Sequence, residues 1–457
     1  MPELLNEQEE QHIDEELVTR LLEEEQPELF REEFLAGHPY DQAKYYEKAG
    51  PGLRRRMYEY LSPAELAEIF EVSEIPDEEF GGFLEEMDTR YAADMLAQMY
   101  ADNAVDVLNE IDKSKALTYL TLMEDEDARE IKDLLHYEEY TAGSIMTTEY
   151  VTIPKNSTVR SAMAILRNAA PEAETIYYIF VADDENRLAG VVSLRDIIIA
   201  DENSIIGDIM NERVVSVLVS ADQEEVARTM KDYDFLAIPV VDFQQHLLGI
   251  ITVDDIMDVL EEEASDDYSK LAGVSDMDTP DRSPLNAAKK RLPWLILLTF
   301  LGMVTANLMG HFEKTLDQVA LLAVFIPLIA GMAGNSGTQS LAVAVRGIAT
   351  GDIEEESKMK LLFREAGTGL ITGSVCGVFV FLLVFLWKHE AVLGLLVGAA
   401  ILGSIFVATV AGSFIPLLMH RIKIDPAVAS GPFITTLNDI ISILIYLGLA
   451  TLFISQL

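Results

Sequence analysis

From Leu292 onward the polar positions thin out and the hydrophobic ones merge into long runs. Five stretches, Leu292–Gly310, Gln318–Val345, Ala366–Trp387, Ala391–His420 and Pro426–Leu457, are each long enough to cross a bilayer, which takes about 20 apolar residues. Helices of a soluble core would carry polar faces, and these runs have almost none. Upstream the pattern changes. Roughly from Glu15 to Leu135, apolar residues recur with a helical period in short segments such as Pro63–Phe70, Ala92–Tyr100 and Ala104–Ile111, with Leu61-Ser62-Pro63 and Met123-Glu124-Asp125 as helix starts. Beyond them short β-rich runs, Ile176–Val181 and Gly249–Val253 among them, alternate with helical ones.

The β-rich region is a repeat. Ser144-Ile145-Met146, Phe180-Val181-Ala182-Asp183 and Gly190-Val191-Val192-Ser193-Leu194-Arg195-Asp196-Ile197 match Asp208-Ile209-Met210, Pro239-Val240-Val241-Asp242 and Gly249-Ile250-Ile251-Thr252-Val253-Asp254-Asp255-Ile256. The last two blocks, Phe180 to Pro239 and Gly190 to Gly249, share one offset, and the first, Ser144 to Asp208, has a slightly larger one. Two such copies bury surface against each other. They resemble a tandem pair of CBS domains, modules that sense ligands, often adenine nucleotides. In that family the hydroxyl and carboxylate of the shared Gly-x-x-Ser/Thr-x-x-Asp pattern contact a nucleotide, which the resemblance carries to Ser193, Asp196, Thr252 and Asp255. Tyr178, Arg195 and Phe235 complete the expected nucleotide site. The same hydroxyls also suit the cap of the following helix.

Charge separates the chain in two. Of 77 acidic and 33 basic side chains, only 10 and 8 fall in Leu292–Leu457, leaving a net charge of −42 on Met1–Arg291. Such a head is a poor nucleic-acid binder, because phosphate binding takes Lys and Arg. One cysteine, Cys376, excludes a disulfide framework, and seven scattered histidines show no zinc spacing. The acidic opening segment, Met1–Phe30, lacks a basic start followed by an apolar run, so no secretory signal is expected. Basic residues gather at Lys289, Lys290 and Arg291, at Arg346, Lys358, Lys360 and Arg364, and at Arg421 and Lys423, while the other loops hold only Lys314 and Lys388. By the positive-inside rule the acidic head is cytoplasmic and the C-terminus outside, in a multi-pass protein of the cell membrane.

Candidate chemistry follows from what breaks the apolar runs. Asp439 is the single charge after Pro426, and an intramembrane carboxylate is functional by default. A helix starting at Pro426 would put it about 20 Å along, near mid-bilayer. Thr435 and Ser442 would share its face, and Pro432, which has no N–H, would leave the Val428 carbonyl free. This oxygen-rich stripe without an amine suits a hard cation. The polar segment Gly331-Met332-Ala333-Gly334-Asn335-Ser336-Gly337-Thr338-Gln339-Ser340 in the second run fits close helix packing and interhelical hydrogen bonds. The spans supply no second carboxylate for proteolysis and no Ser–His or metal–His set, so no enzyme is expected. The acidic run Asp254–Asp267 continues the last helix of the repeat. Its i,i+4 carboxylates repel each other and call for a compensating cation, with no basic run nearby except Lys289–Arg291.

The order of these parts resembles the MgtE family of magnesium channels over nearly the whole chain. The Gly331–Ser340 segment and Asp425-Pro426-Ala427-Val428-Ala429-Ser430-Gly431-Pro432-Phe433-Ile434-Thr435-Thr436-Leu437-Asn438-Asp439 carry the resemblance, with Asn438 at a position not expected to be fixed. The resemblance implies a multidomain protein. It has an α-helical superhelical N-domain (1–137), an α/β tandem CBS pair (138–264, divided near 202), a plug helix and linker (265–291) and a five-helix all-α transmembrane domain (292–457). It implies a homodimer in the bilayer, with a pore on the two-fold axis in which Asp439, Asn335, Val428, Thr435 and Pro432 surround a hydrated Mg²⁺. It also implies closure by cytosolic Mg²⁺ held by Asp106, Asp222, Glu224, Asp234, Asp255, Asp258, Glu263, Asp266 and Asp267, with ATP as a modulator. Two other readings stay open: a non-conducting membrane sensor of nucleotide or metal, and a transporter of another divalent ion such as Mn²⁺ or Co²⁺.

Overall fold

The computed structural model describes residues 13–73, 75, 77–124, 127–171, 173–274, 284–351, 353 and 358–453. Part of the expected linker, 275–283, and Asp125 of the second expected helix start lie outside these residues. The chain divides into two compact units, Met1–Leu260 and Glu261–Leu457.

The first unit opens with ten short helices, α1 (Glu15–Glu23) to α10 (Asp127–Leu134), among the described residues. Four begin on a proline, at Pro27, Pro39, Pro51 and Pro63, where the missing N–H would have had no helical partner. Ser62 and Glu65 close a capping box at the helix that starts on Pro63. Helices this short are marginal alone and depend on packing. Phe30, Phe34, Tyr46, Met57, Leu66 and Leu96 supply it as fully buried side chains. Arg54, nearly buried, reaches Glu86 at 2.6 Å and lies 4.6 Å over the Phe83 ring, so its charge is paired and its stem packed.

The repeat follows. Copy one comprises β1 (Thr152–Pro154), α11 (Val159–Ala169), β2 (Tyr178–Ala182), β3 (Leu188–Ser193), α12 (Leu194–Ile199) and α13 (Ile206–Ile209). Copy two comprises β4 (Val217–Leu218), α14 (Gln223–Tyr233), β5 (Ala237–Val241), β6 (Leu247–Thr252) and α15 (Val253–Ala272). Each sheet has three strands, the first pair parallel and the second antiparallel. Tyr178 pairs with Ser193 and Ala237 with Thr252, the same register in both copies, and the same irregularity recurs at Val181/Ala182 and Val240/Val241. Bridges between the copies come in exchanged pairs: Thr147 with Ile250 and Val191 with Asn211, Thr141 with Asp222 and Thr158 with Ile205. Swapping partners when each residue is replaced by its counterpart in the other copy is the mark of an internal two-fold axis. The offset between copies narrows after the first block because the link from α11 to β2 is longer than the link from α14 to β5.

Among the described residues, five helices are long and apolar enough to cross a membrane, and all lie in the second unit. They are built on α16 (Pro284–His311), α18 (Ile326–Ala349), α19 (Lys358–Lys388), α20 (Ala391–Arg421) and α21 (Gly431–Phe453), with the short α17 (Glu313–Gln318) after α16. The second span begins as a 3₁₀ turn, Ala320–Phe325, and becomes α-helical at Ile326, with Pro327 in its first turn. Helices α19 and α20 approach backbone to backbone: a Cβ on Gly377 would stand 2.6 Å from the Gly398 carbonyl, and one on Gly398 equally close to that of Gly377. Without a hydrophobic drive inside lipid, such contact between small residues is what holds helices together.

The fifth helix begins at Gly431, not Pro426. Asp425 instead caps a separate 3₁₀ turn, Pro426–Val428, by accepting from the Ala427 N–H at 2.8 Å. Two expectations change. Asp439 lies only ~12 Å along α21, about a third of its length, because a helix rises 1.5 Å per residue. Pro432 sits in the first turn, where its missing N–H frees nothing, and the Val428 carbonyl accepts from the Ser430 N–H at 2.7 Å.

Candidate ion-conducting and regulatory sites

The polar seam of the membrane unit lies where α18 meets α20 and α21. Gly334 and Gly337 let α21 come close, and Thr435 and Asn438 fill the space, since a Cβ on either glycine would strike Thr435 Cγ2 at 2.8 Å or Asn438 Nδ2 at 2.0 Å. Thr338 Oγ1 and Thr435 Oγ1 are 3.3 Å apart. Helix α18 runs antiparallel to α21, with Thr338 against Gly431 and Gly334 against Thr435. That register sets Asn335 about one helical turn away from the level of Asp439.

Asp439 is half-buried and makes no ion pair among the described residues, while Asn335 on α18 is exposed. The Ser442 hydroxyl does not face the Asp439 carboxylate. It is buried and donates to the Asp439 backbone carbonyl at 3.0 Å. Asn438 is 1 % exposed, and neither Nδ2 nor Oδ1 has a hydrogen-bond partner among the described residues. The position expected to be free is thus among the most constrained in α21.

A second carboxylate does lie inside these helices, contrary to expectation. Glu365 belongs to α19, is 7 % exposed, and its Oε2 lies 2.9 Å from the Ser340 hydroxyl, which also reaches the Thr409 carbonyl at 2.7 Å. Ser336 and Thr409 hydroxyls are 2.8 Å apart, so the network joins α18, α19 and α20. It contains no second acid beside Glu365 among the described residues, and Asp439 is not part of it.

The end of α15 packs within the second unit. Leu271 joins the apolar cluster of Leu341, Val345, Ala427, Ala429 and Ile434. Lys270 bonds Asp266 one turn back and reaches Asp425 Oδ2 at 2.5 Å. Burial pulls the Lys270 ammonium down, but the bonds from Asp266 and Asp425 outweigh it and hold its pKa above the usual value. Lys270 is thus one cation that the acidic helix itself supplies, beside the Lys289–Arg291 run expected from the sequence. Glu263 and Asp267 are half-buried on the same helix and Asp258 is exposed.

In the first unit a carboxylate cluster forms where the repeat halves meet. Oxygens of Glu174, Asp254 and Asp255 lie within 4.8 Å of one another. Burial, then the neighbouring Asp255 charge, pushes the Glu174 carboxyl up to about 7. Asp102, on α8 (Ala101–Asn109), is 6 % exposed, and burial, then Asp255 and Glu174, hold its carboxyl well above the usual range. Burial likewise raises Asp255, opposed by its bond from Thr252. Of these four acids only Asp255 belongs to the expected set. Asp106 is exposed one turn beyond Asp102. The signal for Glu174 is the spacing, because it lies in the link that makes copy one longer, whereas nothing in the sequence sets Asp102 or Asp254 apart. Oxygens around Mg²⁺ stand about 3–4 Å apart, so this cluster can take the ion directly or through its waters.

The other expected acids are divided between tasks. Asp222 caps α14 through the Glu224 N–H, Glu224 pairs with Arg228 at 3.0 Å, and Asp234 ends α14 with φ 52°. At the expected nucleotide site, Ser193 Oγ accepts the Asp196 N–H and donates to its carboxylate at 2.6 Å, and Thr252 does the latter to Asp255 at 2.5 Å. Tyr178 is half-buried opposite Ser193, Arg195 is exposed, Phe235 stacks on Tyr233 at 5.3 Å, and Thr252 is 3 % exposed.

The comparisons decide the family. The sequence profile MgtE, a divalent cation transporter, matches residues 326–449, the MgtE intracellular N domain matches 37–140, and the CBS domain matches 142–203 and 206–262. The magnesium transporter MgtE of Enterococcus faecalis is 53 % identical over 437 residues, 96 % of both chains. This chain belongs to the MgtE family. MgtE of Bacillus subtilis is 38 % identical over 88 % of this chain and 94 % of its own, and that of Thermus thermophilus 40 % over 77 % and 79 %. Among solved structures, the soluble part of a magnesium transporter superposes with a TM-score of 0.54 at 56 % identity, covering 55 % of this chain and 98 % of its own. The cytosolic domain of the Mg²⁺ channel MgtE in complex with ATP gives 0.51 at 37 %, covering 54 % and 99 %.

Proposed function

We propose that this MgtE-family chain is a magnesium channel that admits Mg²⁺ passively and closes when cytosolic Mg²⁺ is high. The observation that carries the reading is Asp439, a half-buried carboxylate without an ion-pair partner among the described residues, on a helix within the segment matched by the divalent cation transporter profile. Mg²⁺ sheds its water reluctantly, so Asp439 binds the hydrated ion, with Asn335 and Thr435 within about a turn of it, while the Val428 backbone and the Pro432 turn, ~10 Å or more from Asp439 toward the start of α21, line the path to it. Two copies supply two charges for one divalent ion. A homodimer is further supported by α16, whose residues are all left unburied in one chain. An inside-negative potential drives a divalent cation by roughly 2 × 2.3 kcal/mol per 100 mV. The N-terminal unit is cytoplasmic and the C-terminus outside, a reading supported by the bias of Lys and Arg among the loops.

The regulatory ions sit at carboxylates. Asp102, Glu174, Asp254 and Asp255 form one group in the first unit, where like charges at close range are relieved by a cation. Asp106, Asp222, Glu224, Asp234 and Asp258 supply weaker sites there, and Glu263, Asp266 and Asp267 act in the second unit. Tyr178, Ser193, Arg195 and Asp196 hold the regulatory nucleotide, a reading supported by the ATP complex of the related cytosolic domain. Phe235 lies just before β5 in copy two, the copy in which Thr252 keeps its hydroxyl on Asp255.

Mg²⁺ uptake into proteoliposomes, with the cytoplasmic side held first at low and then at high Mg²⁺, tests the whole reading. Uptake that stops at high Mg²⁺ and is lost in Asp439→Ala supports it. Unaltered flux in Asp439→Ala removes that residue from the pore, and no flux from folded dimer leaves a non-conducting sensor. Parallel runs with Mn²⁺ and Co²⁺ define the ion.

A further inference from the structure

We propose that Asn438 is a positioning residue that sets the rotation of α21 and thereby the aim of the adjacent Asp439. The inference rests on the reading of Asp439 as the ion-facing group. Ile434, Asn438 and Ser442 form the buried stripe of α21, each at most 1 % exposed. Asn438 is seated on Gly337: a Cβ there would lie 2.0 Å from its Nδ2 and 3.1 Å from Ile434 Cγ2. Behind that glycine the wall is backbone, since a Cβ on Gly412 of α20 would stand 2.3 Å from the Gly337 carbonyl. The socket is therefore rigid on both sides.

Stability does not account for an asparagine in it. Nδ2 and Oδ1 are both buried without partners among the described residues, and an amide buried so costs free energy that an apolar residue would not. What the short, flat amide does supply is a wedge against bare backbone. Successive residues on a helix are ~100° apart, and side-chain tips lie ~5–6 Å from the axis. A rotation of about 20° about that axis moves a carboxylate by roughly 2 Å. The contact that stops α21 from turning thus fixes where Asp439 points.

The test is Mg²⁺ flux through full-length dimers in proteoliposomes, with thermal unfolding and size-exclusion profiles of each variant. Asn438→Ala is expected to keep or raise the unfolding temperature. It should change half-saturation for Mg²⁺, or the preference for Mg²⁺ over Ca²⁺, by about tenfold to a hundredfold, since an ångström of misplacement of a positioned group can cost up to about a hundredfold. Gly337→Ala is expected to lose flux, and Gly337→Ala with Asn438→Ala to regain it. Wild-type half-saturation and ion preference in Asn438→Ala overturn the proposal, as does wild-type flux in Gly337→Ala. Should Gly337→Ala not fold, the ion preference of Asn438→Ala decides alone. Asp439→Asn is measured alongside: if it conducts normally the pore reading fails, whatever Asn438 does.

Discussion

Arg187 and His246 bridge to each other across the two CBS copies, and they occupy the same position of the repeat. A residue that meets its own counterpart lies beside the internal two-fold axis. The symmetry makes any departure from it informative. The largest is the link from α11 to β2, whose extra length brings Glu174 beside Asp254 and Asp255. Copy two has no equivalent, because its α14 ends in a left-handed Asp234 and enters β5 almost at once.

Glu174→Gln should therefore have opposite effects with and without divalent ions. In a chelator it removes one of several clustered charges, so the soluble part (1–260) should melt at a higher temperature than wild type. In Mg²⁺ it removes a ligand. At a hundredfold excess over its dissociation constant an ion stabilises by about 2.7 kcal/mol, and a tenfold loss of affinity takes away about 1.4 kcal/mol. The Mg²⁺-induced rise in melting temperature should shrink accordingly, and Asp255→Asn should do the same. Equal rises in wild type and both variants would remove the cluster from ion sensing.

Acid should act through a different pair. Arg31 grips Glu65 with two bonds, 2.8 and 2.6 Å, and holds its carboxyl down to about 2 against the opposing effect of burial. A depressed carboxyl stabilises the fold at pH above its ordinary value near 4.5 and loses that contribution as pH falls toward 2. The shift alone corresponds to about 3.4 kcal/mol. Arg31 is 36 % exposed, which screens the pair to about 1–2 kcal/mol. Arg31→Met should be less stable than wild type by that amount at pH 6 in urea unfolding of the soluble part. The gap should narrow as pH approaches 2 to what the Arg31 bond to the Tyr60 carbonyl leaves, and a constant gap from pH 6 to 2 would refute the assignment.

How much of this is legible in the sequence depends on whether the signal is periodic. The repeat and the five spans are, since both rest on spacing and hydropathy. The start of α21 is not: Asp425-Pro426 reads as a helix cap and first turn, and it is one, but of a 3₁₀ turn that stops before Gly431. Asn438 looks free because a single sequence gives no azimuth for a helix in lipid, and only the Gly337 contact reveals that it points inward. Glu365 falls outside the expected span because charge ends an apolar run, although a buried Ser340 hydroxyl accommodates it. Lys270, a single base in an acidic run, does not stand out as a partner because Asp425 is far away along the chain.

That pair supports the last prediction. The Lys270–Asp425 contact ties the final turn of α15 to the corner that leads into α21, and in the proposed channel this is the closed arrangement of the plug helix. Breaking the contact should favour opening. Lys270→Met removes the charge, and Asp425→Asn removes it from the other side while keeping an oxygen to cap the Ala427 N–H. The two side chains are about a third exposed, so the pair is worth about 1 kcal/mol, or a several-fold change in the closing equilibrium. Each variant should need several-fold more cytoplasmic Mg²⁺ to stop uptake, and the double variant no more than either alone, because both remove the same bond. Closing curves that overlay wild type would show that Lys270 merely neutralises its own helix. Additive shifts would mean that the two residues act on closure separately.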